Sequence, residues 1–296
     1  MTDDVPAAEE VRHEGFTVQP RALEEAEEEK EEEEEAFQGT RSYGSGVEYW
    51  AARHAEDHAD AISFDWLYEY EQLSCLLKQY VAPDASVLQL GCGNSKLAID
   101  WARDGHRGLL RNVDFCLGVI QQMEADAPGT AGKPMYPNVS YEVADVRDLG
   151  QPAFVSGSFD AVLDKATFDC LACNVTSDYQ ADLEDMCSEA FRVLRPGGVY
   201  ILLSLAPPAA RLPWLYEEPG LDWSVSVTPF AKRSELETNR CGGGDDDGTV
   251  DVLGVLAPAG EEVLVGGDAD WEAKLQVFDD DQDDKYTFLY LCRKCV

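Results

Sequence analysis

One turn constrains the fold of this chain more than any other feature. The apolar run Ser86-Val-Leu-Gln-Leu90 is followed by two glycines, Gly91 and Gly93, and then by a segment with helical apolar spacing. Glycines between a strand and a helix allow a tight turn, and they let a ligand approach the backbone amides there. The turn therefore predicts an α/β fold with a ligand site at the end of its first strand.

The alternation of apolar runs and helical segments continues after this turn. Further strands are predicted up to Asp114 and over residues 139–143, 159–164 and 199–204. Strands that alternate with helices are typical of βαβ units and a parallel sheet. Two later apolar runs, at 223–228 and 286–293, are expected to pair as an antiparallel hairpin, which brings the count to seven strands.

Acidic residues are concentrated in two stretches. The chain has 58 acidic and 23 basic residues, a formal net charge of -35. Residues 1–36 hold fifteen acidic and three basic residues, and residues 234–284 hold sixteen and two. We expect residues 1–42 to form a disordered acidic tail, and the second stretch to be an acidic insertion in the hairpin. This charge disfavours stable binding to nucleic acid or to an anionic membrane, and a basic protein partner is expected.

Neither a secretory leader nor an apolar run long enough to span a membrane is found in the sequence. We therefore expect a cytoplasmic protein whose nine cysteines are thiols. Cys170 and Cys173 form one CxxC pair, and Cys292 and Cys295 form another. The pairs are more than a hundred residues apart, so a zinc site is not expected.

Carboxylates follow the second and third predicted strands. A dinucleotide fingerprint would need a third glycine at position 96, which is lysine here. S-adenosylmethionine also suits a glycine turn, with an acid on the next strand for its ribose. Asp114 is placed to accept hydrogen bonds from the ribose hydroxyls, and Asp145 is placed to accept one from an adenine amine. Either one alone is a common turn residue, but acids at successive strand ends favour a ligand site.

Four blocks of the sequence stand out together. They are Val47-Glu-Tyr-Trp-Ala-Ala-Arg53, Phe64-Asp-Trp66 with Tyr68, Leu90-Gly-Cys-Gly-Asn-Ser95 and Phe159-Asp-Ala-Val-Leu-Asp-Lys-Ala-Thr-Phe-Asp169. These blocks resemble the class I S-adenosylmethionine-dependent methyltransferases and are similar, more narrowly, to the lysine methyltransferases that modify elongation factor 1A. The resemblance runs from about residue 43 to the C-terminus, outside the insertion. It implies a methyltransferase domain over residues 43–296, with a Rossmann-like, mostly parallel seven-stranded sheet that ends in the antiparallel hairpin.

The resemblance also implies a set of residues that contact S-adenosylmethionine. These are Trp50, His54, Trp66, Gly91, Gly93, Asp114, Phe115, Asp145, Val146 and Lys165. His54 stands where the family usually has tyrosine. Without the resemblance, the ordinary interpretation of Trp50 and Trp66 is packing in the core. The ordinary interpretation of Lys165 is a solvated surface charge.

The implied reaction is attack of a neutral lysine amine on the methyl group of the sulfonium. The target amine must lose a proton, and Asp164 or Asp169 is a candidate to accept it, with a structural role as the alternative. The expected substrate is elongation factor 1A, a basic protein that the acidic stretches could attract. They could equally serve only solubility. Two other hypotheses stay open, a small-molecule methyltransferase and a non-catalytic interaction module that keeps the fold.

Overall fold

The computed structural model describes residues 46–59, 65–130, 133–150, 152–174, 179–231, 258–279 and 286–296. The predicted acidic tail, residues 1–42, lies outside these residues, as do Phe64 and residues 232–257 of the region around the predicted insertion. The predictions for those segments therefore stay predictions. In the described part, none of the helices is long and apolar enough to cross a membrane.

Eight strands form one sheet in the order β5-β2-β1-β6-β7-β10-β8-β9. The first five strands in this order run parallel to one another. Strand β10 runs antiparallel to both β7 and β8. The strands are β1 (Val87–Leu90), β2 (Leu110–Asp114), β3 (Gly129–Thr130), β4 (Lys133–Pro134), β5 (Val139–Val143), β6 (Phe159–Lys165), β7 (Leu194–Ser204), β8 (Trp223–Ala231), β9 (Val263–Leu264) and β10 (Tyr286–Lys294), of which β3 and β4 pair separately. The predicted Rossmann-like sheet and its C-terminal antiparallel hairpin are confirmed.

Helices cover both faces of this sheet. They are α1 (Gly46–Ala59), α2 (Tyr70–Tyr80), α3 (Leu97–Arg103), α4 (Leu117–Asp126), α5 (Thr167–Ala172), α6 (Tyr179–Val193), α7 (Pro208–Leu215) and α8 (Trp271–Asp279). Successive strand residues point to opposite faces. Leu163 thus packs in one core with α2, while its neighbour Val162 packs in the other core with α6. Because both faces are covered, nearly every residue of the central strands β1 and β6 is buried.

The described part of the region predicted as an insertion packs against the rest of the domain. Its strand β9 pairs with β8 and adds an eighth strand to the seven that the sequence predicts. Val263, Val265 and Leu275 are buried in the core that includes β8 and β10. Within residues 258–279, β9 therefore extends the sheet at its β8 edge, and Leu275 of α8 packs on the core.

The strand order places a crevice at β1. The chain runs outward from β1 through β2 to β5 on one side, and through β6 to β7 on the other. Ligands of open α/β sheets bind beyond the carboxyl ends of the strands where the order reverses in this way. The glycine turn after β1 lies at this reversal.

Candidate functional site

A cavity of about 230 Å³ lies beyond the carboxyl ends of β1, β2, β5 and β6. All ten residues that the sequence predicts to contact the cofactor line it. They are Trp50, His54, Trp66, Gly91, Gly93, Asp114, Phe115, Asp145, Val146 and Lys165. The chain contributes them from α1, from the segment before α2, and from four strand ends, so the fold brings distant sequence blocks to one place.

The glycine turn is closely packed. Gly91 and Gly93 have φ values of 57° and 51°, a left-handed conformation that favours glycine. A Cβ on Gly91 would lie 2.3 Å from Thr167 Oγ1, and one on Gly93 would lie 3.3 Å from His54 Cε1. Glycine is therefore required at position 91 both by backbone conformation and by the approach of α5.

Asp114 ends β2 beside this turn. Its Oδ2 accepts a hydrogen bond from the Gly93 amide at 3.0 Å, and its Oδ1 accepts one from the Cys116 amide at 2.9 Å. Burial raises the pKa of Asp114, and the two amides oppose that shift. Each oxygen of an ionised carboxylate can accept two hydrogen bonds, so both retain capacity for a ligand hydroxyl.

Aromatic rings form the wall that faces the glycine turn. The rings of Trp50 and Trp66 meet edge to face with centroids 6.5 Å apart, and the ring of His54 lies 6.0 Å from that of Trp50. Trp50 and His54 lie on the same face of α1 because residues four apart are neighbours on a helix. The wall offers apolar surface opposite the polar strand ends.

Lys165, at the end of β6, ties the Trp66 segment to the sheet. Its buried Nζ donates to the Trp66 carbonyl at 2.8 Å and lies 3.1 Å from Asp65 Oδ1. Ser95 in the glycine turn donates to the same Asp65 oxygen. Burial lowers the pKa of Lys165, and the Asp65 carboxylate opposes that shift. The lysine therefore links β6 to the segment that carries part of the aromatic wall.

Asp145, just beyond β5, is paired with an arginine two residues along the chain. Arg147 Nε donates to Asp145 Oδ1 at 2.9 Å, and Arg147 Nη2 donates to Oδ2 at 2.6 Å. Burial acts to raise the pKa of Asp145, but the hydrogen bonds and charge of Arg147 lower it below the ordinary value. The carboxylate is therefore held ionised in a fixed orientation.

The two carboxylates proposed from sequence for proton transfer do not line the cavity. Asp164 is fully buried and accepts hydrogen bonds from the Thr167 amide at 2.8 Å and from the Tyr200 hydroxyl at 3.0 Å. Burial, together with the charge of Asp169, raises the pKa of Asp164 to about 7. Asp164 thus anchors the start of α5.

Asp169 lies in a buried polar cluster at the end of β7. Its carboxylate accepts hydrogen bonds from Ser204 Oγ, from the Leu205 amide at 2.7 Å and from Arg211 Nη2 at 2.7 Å. The side chains of Asp169 and Arg211 are 10% and 7% exposed, so the ion pair is almost enclosed. These contacts join α5, β7 and α7.

Sequence reasoning missed several residues that line the cavity. They include Gln89, Arg147, Thr167, Cys170 and Asn174. The sequence does contain a pattern that points to Arg147, because a basic side chain two residues after a strand-end acid is close enough to pair with it. No local pattern points to the other four residues, since contacts with distant parts of the chain place them at the cavity.

Comparison with known proteins identifies the class of enzyme. The family model described as "Methyltransferase domain" matches residues 82–225. The chain is 31% identical over 191 residues to mouse EEF1A lysine methyltransferase 4, covering 62% of this chain and 70% of the relative. It is 33% identical over 192 residues to the mitochondrial citrate synthase-lysine N-methyltransferase of Pongo abelii, covering 60% and 77%.

A further relative is matched over a small part of its length, and a solved structure is matched at low sequence identity. The human eEF1A lysine and N-terminal methyltransferase is 32% identical over 169 residues, which is 57% of this chain and only 22% of that protein. A solved S-adenosylmethionine-dependent methyltransferase from Methanosarcina mazei matches with a TM-score of 0.40 at 16% identity, covering 75% of this chain and 97% of that one.

An open α/β sheet with a glycine turn and acids at successive strand ends defines a nucleoside-binding class of enzyme. Within that class, the chain belongs to the S-adenosylmethionine-dependent methyltransferases. The family resemblance predicted from the sequence is thereby confirmed.

Proposed function

We propose that this enzyme is a protein-lysine N-methyltransferase that binds S-adenosylmethionine in the cavity and methylates elongation factor 1A. The observation that carries the proposal is the convergence of all ten predicted cofactor residues on one cavity. The names of the mouse and human relatives support a lysine of elongation factor 1A as the acceptor.

The residues present fit the cofactor. The glycine turn offers backbone close to the cavity, and Asp114 retains acceptor capacity for two ribose hydroxyls. Asp145 and Val146 would hold the adenine, and the aromatic wall of Trp50, His54 and Trp66 would cover the apolar parts. When bound, S-adenosylmethionine supplies a methyl group already activated by the sulfonium.

The protein's part in the reaction is then orientation and exclusion of water. The contact of Lys165 with the Trp66 carbonyl keeps one side of the aromatic wall attached to the end of β6. Such fixed positioning of two reactants accounts for a large share of the rate in many enzymes. The apolar surface of the aromatic wall also favours the neutral form of an entering lysine amine, because desolvation lowers the pKa of an ammonium.

We assign Asp164 and Asp169 to positioning of α5 instead of proton transfer. Their acceptor atoms are engaged by Thr167, Tyr200 and Arg211, and neither side chain lines the cavity. Among the described residues that line it, the carboxylates are Asp114 and Asp145, both placed for the nucleoside. The target amine therefore releases its proton to solvent before the methyl group is transferred.

A basic protein substrate suits the charge of the chain. With a net charge of -35, the enzyme attracts a basic partner at long range, and the attraction weakens as salt screens it. Citrate synthase is the second candidate acceptor, because a relative that methylates its lysine is 33% identical to this chain. A cytoplasmic location agrees with elongation factor 1A as substrate, whereas that relative's name places it in mitochondria.

The experiment is methyl transfer to purified proteins. The enzyme is incubated with methyl-labelled S-adenosylmethionine and either elongation factor 1A or citrate synthase, and labelled residues are located by mass spectrometry. The proposal predicts label on a lysine of elongation factor 1A and its loss in Asp114→Ala. Label on citrate synthase alone would transfer the proposal to the second acceptor. Label on neither, with cofactor binding intact, would favour the small-molecule or non-catalytic alternative.

A further inference from the structure

Arg147 occupies most of the hydrogen-bonding capacity of Asp145. Asp145 Oδ1 accepts from the Arg147 backbone amide at 3.0 Å and from Arg147 Nε at 2.9 Å. Asp145 Oδ2 accepts from Arg147 Nη2 at 2.6 Å. An ionised carboxylate offers about four acceptor positions, two on each oxygen. Hydrogen bonds among the residues that the structure describes use three of these positions, which leaves one on Oδ2.

We propose that Arg147 is a positioning residue that makes the cavity selective for a purine bearing a 6-amino group. The inference rests on the proposed binding of S-adenosylmethionine in this cavity, and it concerns how the adenine is distinguished from other bases. By fixing the carboxylate, Arg147 leaves a single acceptor position with a defined direction. A group that donates one hydrogen bond matches that position, and a group that only accepts does not.

The charge of Arg147 supports the same selectivity. Its hydrogen bonds and charge hold the pKa of Asp145 below the ordinary value, against the effect of burial. An ionised carboxylate accepts hydrogen bonds and donates none. It therefore attracts the hydrogens of a 6-amino group and repels the oxygen of a 6-oxo group. A site that hydrogen-bonds a ligand N–H rejects analogues that lack it more strongly than an apolar pocket does.

Helix α6 holds the arginine in place. Arg147 Nη1 donates to Asp182 Oδ1, in the first turn of that helix, at 2.7 Å. About two turns further along the helix, Glu189 Oε2 accepts a hydrogen bond from the Leu149 amide at 2.9 Å. Two acids of one rigid helix thus anchor the loop that follows β5. The guanidinium fork spans both carboxylates, which the single ammonium of a lysine cannot do with the same geometry.

The test measures binding, by calorimetry, of S-adenosylhomocysteine and of its analogue with a 6-oxo group in place of the 6-amino group. The wild type is expected to bind the amino compound at least tenfold more tightly. In Arg147→Ala the ratio is expected to fall below threefold, because Asp145 is free to turn and to take up a proton. In Asp182→Asn the ratio should fall by a smaller factor.

Controls separate selectivity from folding. Arg111→Ala removes a comparable arginine that pairs with Glu142 of β5 at 3.1 Å, and it should leave the ratio unchanged. Arg147→Lys keeps the charge but loses the fork, so it should still reduce the ratio at least threefold if Arg147→Ala does not fold. An unchanged ratio in both Arg147 variants, or equal binding of both compounds by the wild type, would overturn the inference alone. Binding of neither compound by the wild type would overturn the proposed function with it.

Discussion

The buried ammonium of Lys165 donates a hydrogen bond to the backbone carbonyl of Trp66 at 2.8 Å. This contact joins residues 99 positions apart in the chain, one at the end of β6 and the other in the segment before α2. The lysine also faces the Asp65 carboxylate, and the two side chains are 4% and 11% exposed. The pair holds the Trp66 side of the aromatic wall against the strand ends.

Lys165→Met should therefore weaken cofactor binding. The change leaves Asp65 without its cation and leaves the Trp66 carbonyl with the Tyr68 amide as its donor. Breaking a nearly buried ion pair costs about 3 to 5 kcal/mol. We expect the affinity for S-adenosylhomocysteine, measured by calorimetry, to fall at least tenfold. Lys78→Met is the matched control, because its pair with Asp104 has side chains 52% and 43% exposed. The assignment is wrong if both variants bind as the wild type does.

Gly91→Ala should be destabilising for two separable reasons. A left-handed conformation costs an L-residue about 1 to 2 kcal/mol. The new Cβ would also lie 2.3 Å from Oγ1 and 2.6 Å from Cγ2 of Thr167. Thermal unfolding should show a lower Tm for Gly91→Ala than for Gly91→Ala with Thr167→Ala, which removes both atoms. Gly118→Ala, at a helical position with open space, should be neutral or stabilising. A double variant no more stable than Gly91→Ala would contradict the packing argument.

Asp164 should give the protein a measurable pH dependence. Burial and the charge of Asp169 raise its pKa to about 7 in the folded state, from an ordinary value of 3.8. Between these values the unfolded chain releases a proton that the folded chain keeps, so the free energy of unfolding falls as pH rises. The slope for one group is at most about 1.4 kcal/mol per pH unit.

Urea unfolding at pH 5 and pH 7, with Asp164→Asn for comparison, isolates this contribution. The difference in unfolding free energy, wild type minus variant, is expected to be larger at pH 5 than at pH 7. A difference that grows toward pH 7 would show that the folded state stabilises the ionised carboxylate instead.

Arg211→Met should destabilise the protein without changing cofactor affinity. The variant leaves the Asp169 carboxylate buried with two remaining donors, Ser204 and the Leu205 amide. The expected cost is about 3 to 5 kcal/mol in urea unfolding. Adding Asp169→Asn should recover part of it, since the uncompensated charge is removed. Affinity for S-adenosylhomocysteine should stay within threefold, because neither residue lines the cavity. A tenfold loss of affinity in the folded variant would show that Asp169 contributes to cofactor binding.

Local patterns in the sequence predicted most of the fold. The strand over residues 139–143 occurs with the same bounds, and the predicted hairpin pairs along its length. The segment with helical spacing after the glycine turn forms α3 from Leu97, and the Ser95 hydroxyl before it accepts a hydrogen bond from the Leu97 amide at 3.2 Å. Strand β9 was not predicted, since two residues are too few to show an alternating pattern.

The sequence placed carboxylates at the cavity where position along a strand decides their location. Asp114 ends β2 and Asp145 lies two residues beyond β5, and both line the cavity. Asp164 and Asp169 are also near a strand end, but their partners Tyr200 and Arg211 lie 36 and 42 residues away. Such contacts leave no local pattern, so sequence could not separate a proton acceptor from a structural carboxylate.

We propose that the cavity beyond β1, β2, β5 and β6 binds the cofactor, and a calorimetric titration measures that binding. S-adenosylhomocysteine is titrated into the wild type and into Asp114→Ala, with circular dichroism to verify folding of both. We predict one binding site per chain in the wild type and at least a hundredfold loss of affinity in the variant. Equal affinities of the folded wild type and the folded Asp114→Ala variant would show that the cofactor binds elsewhere.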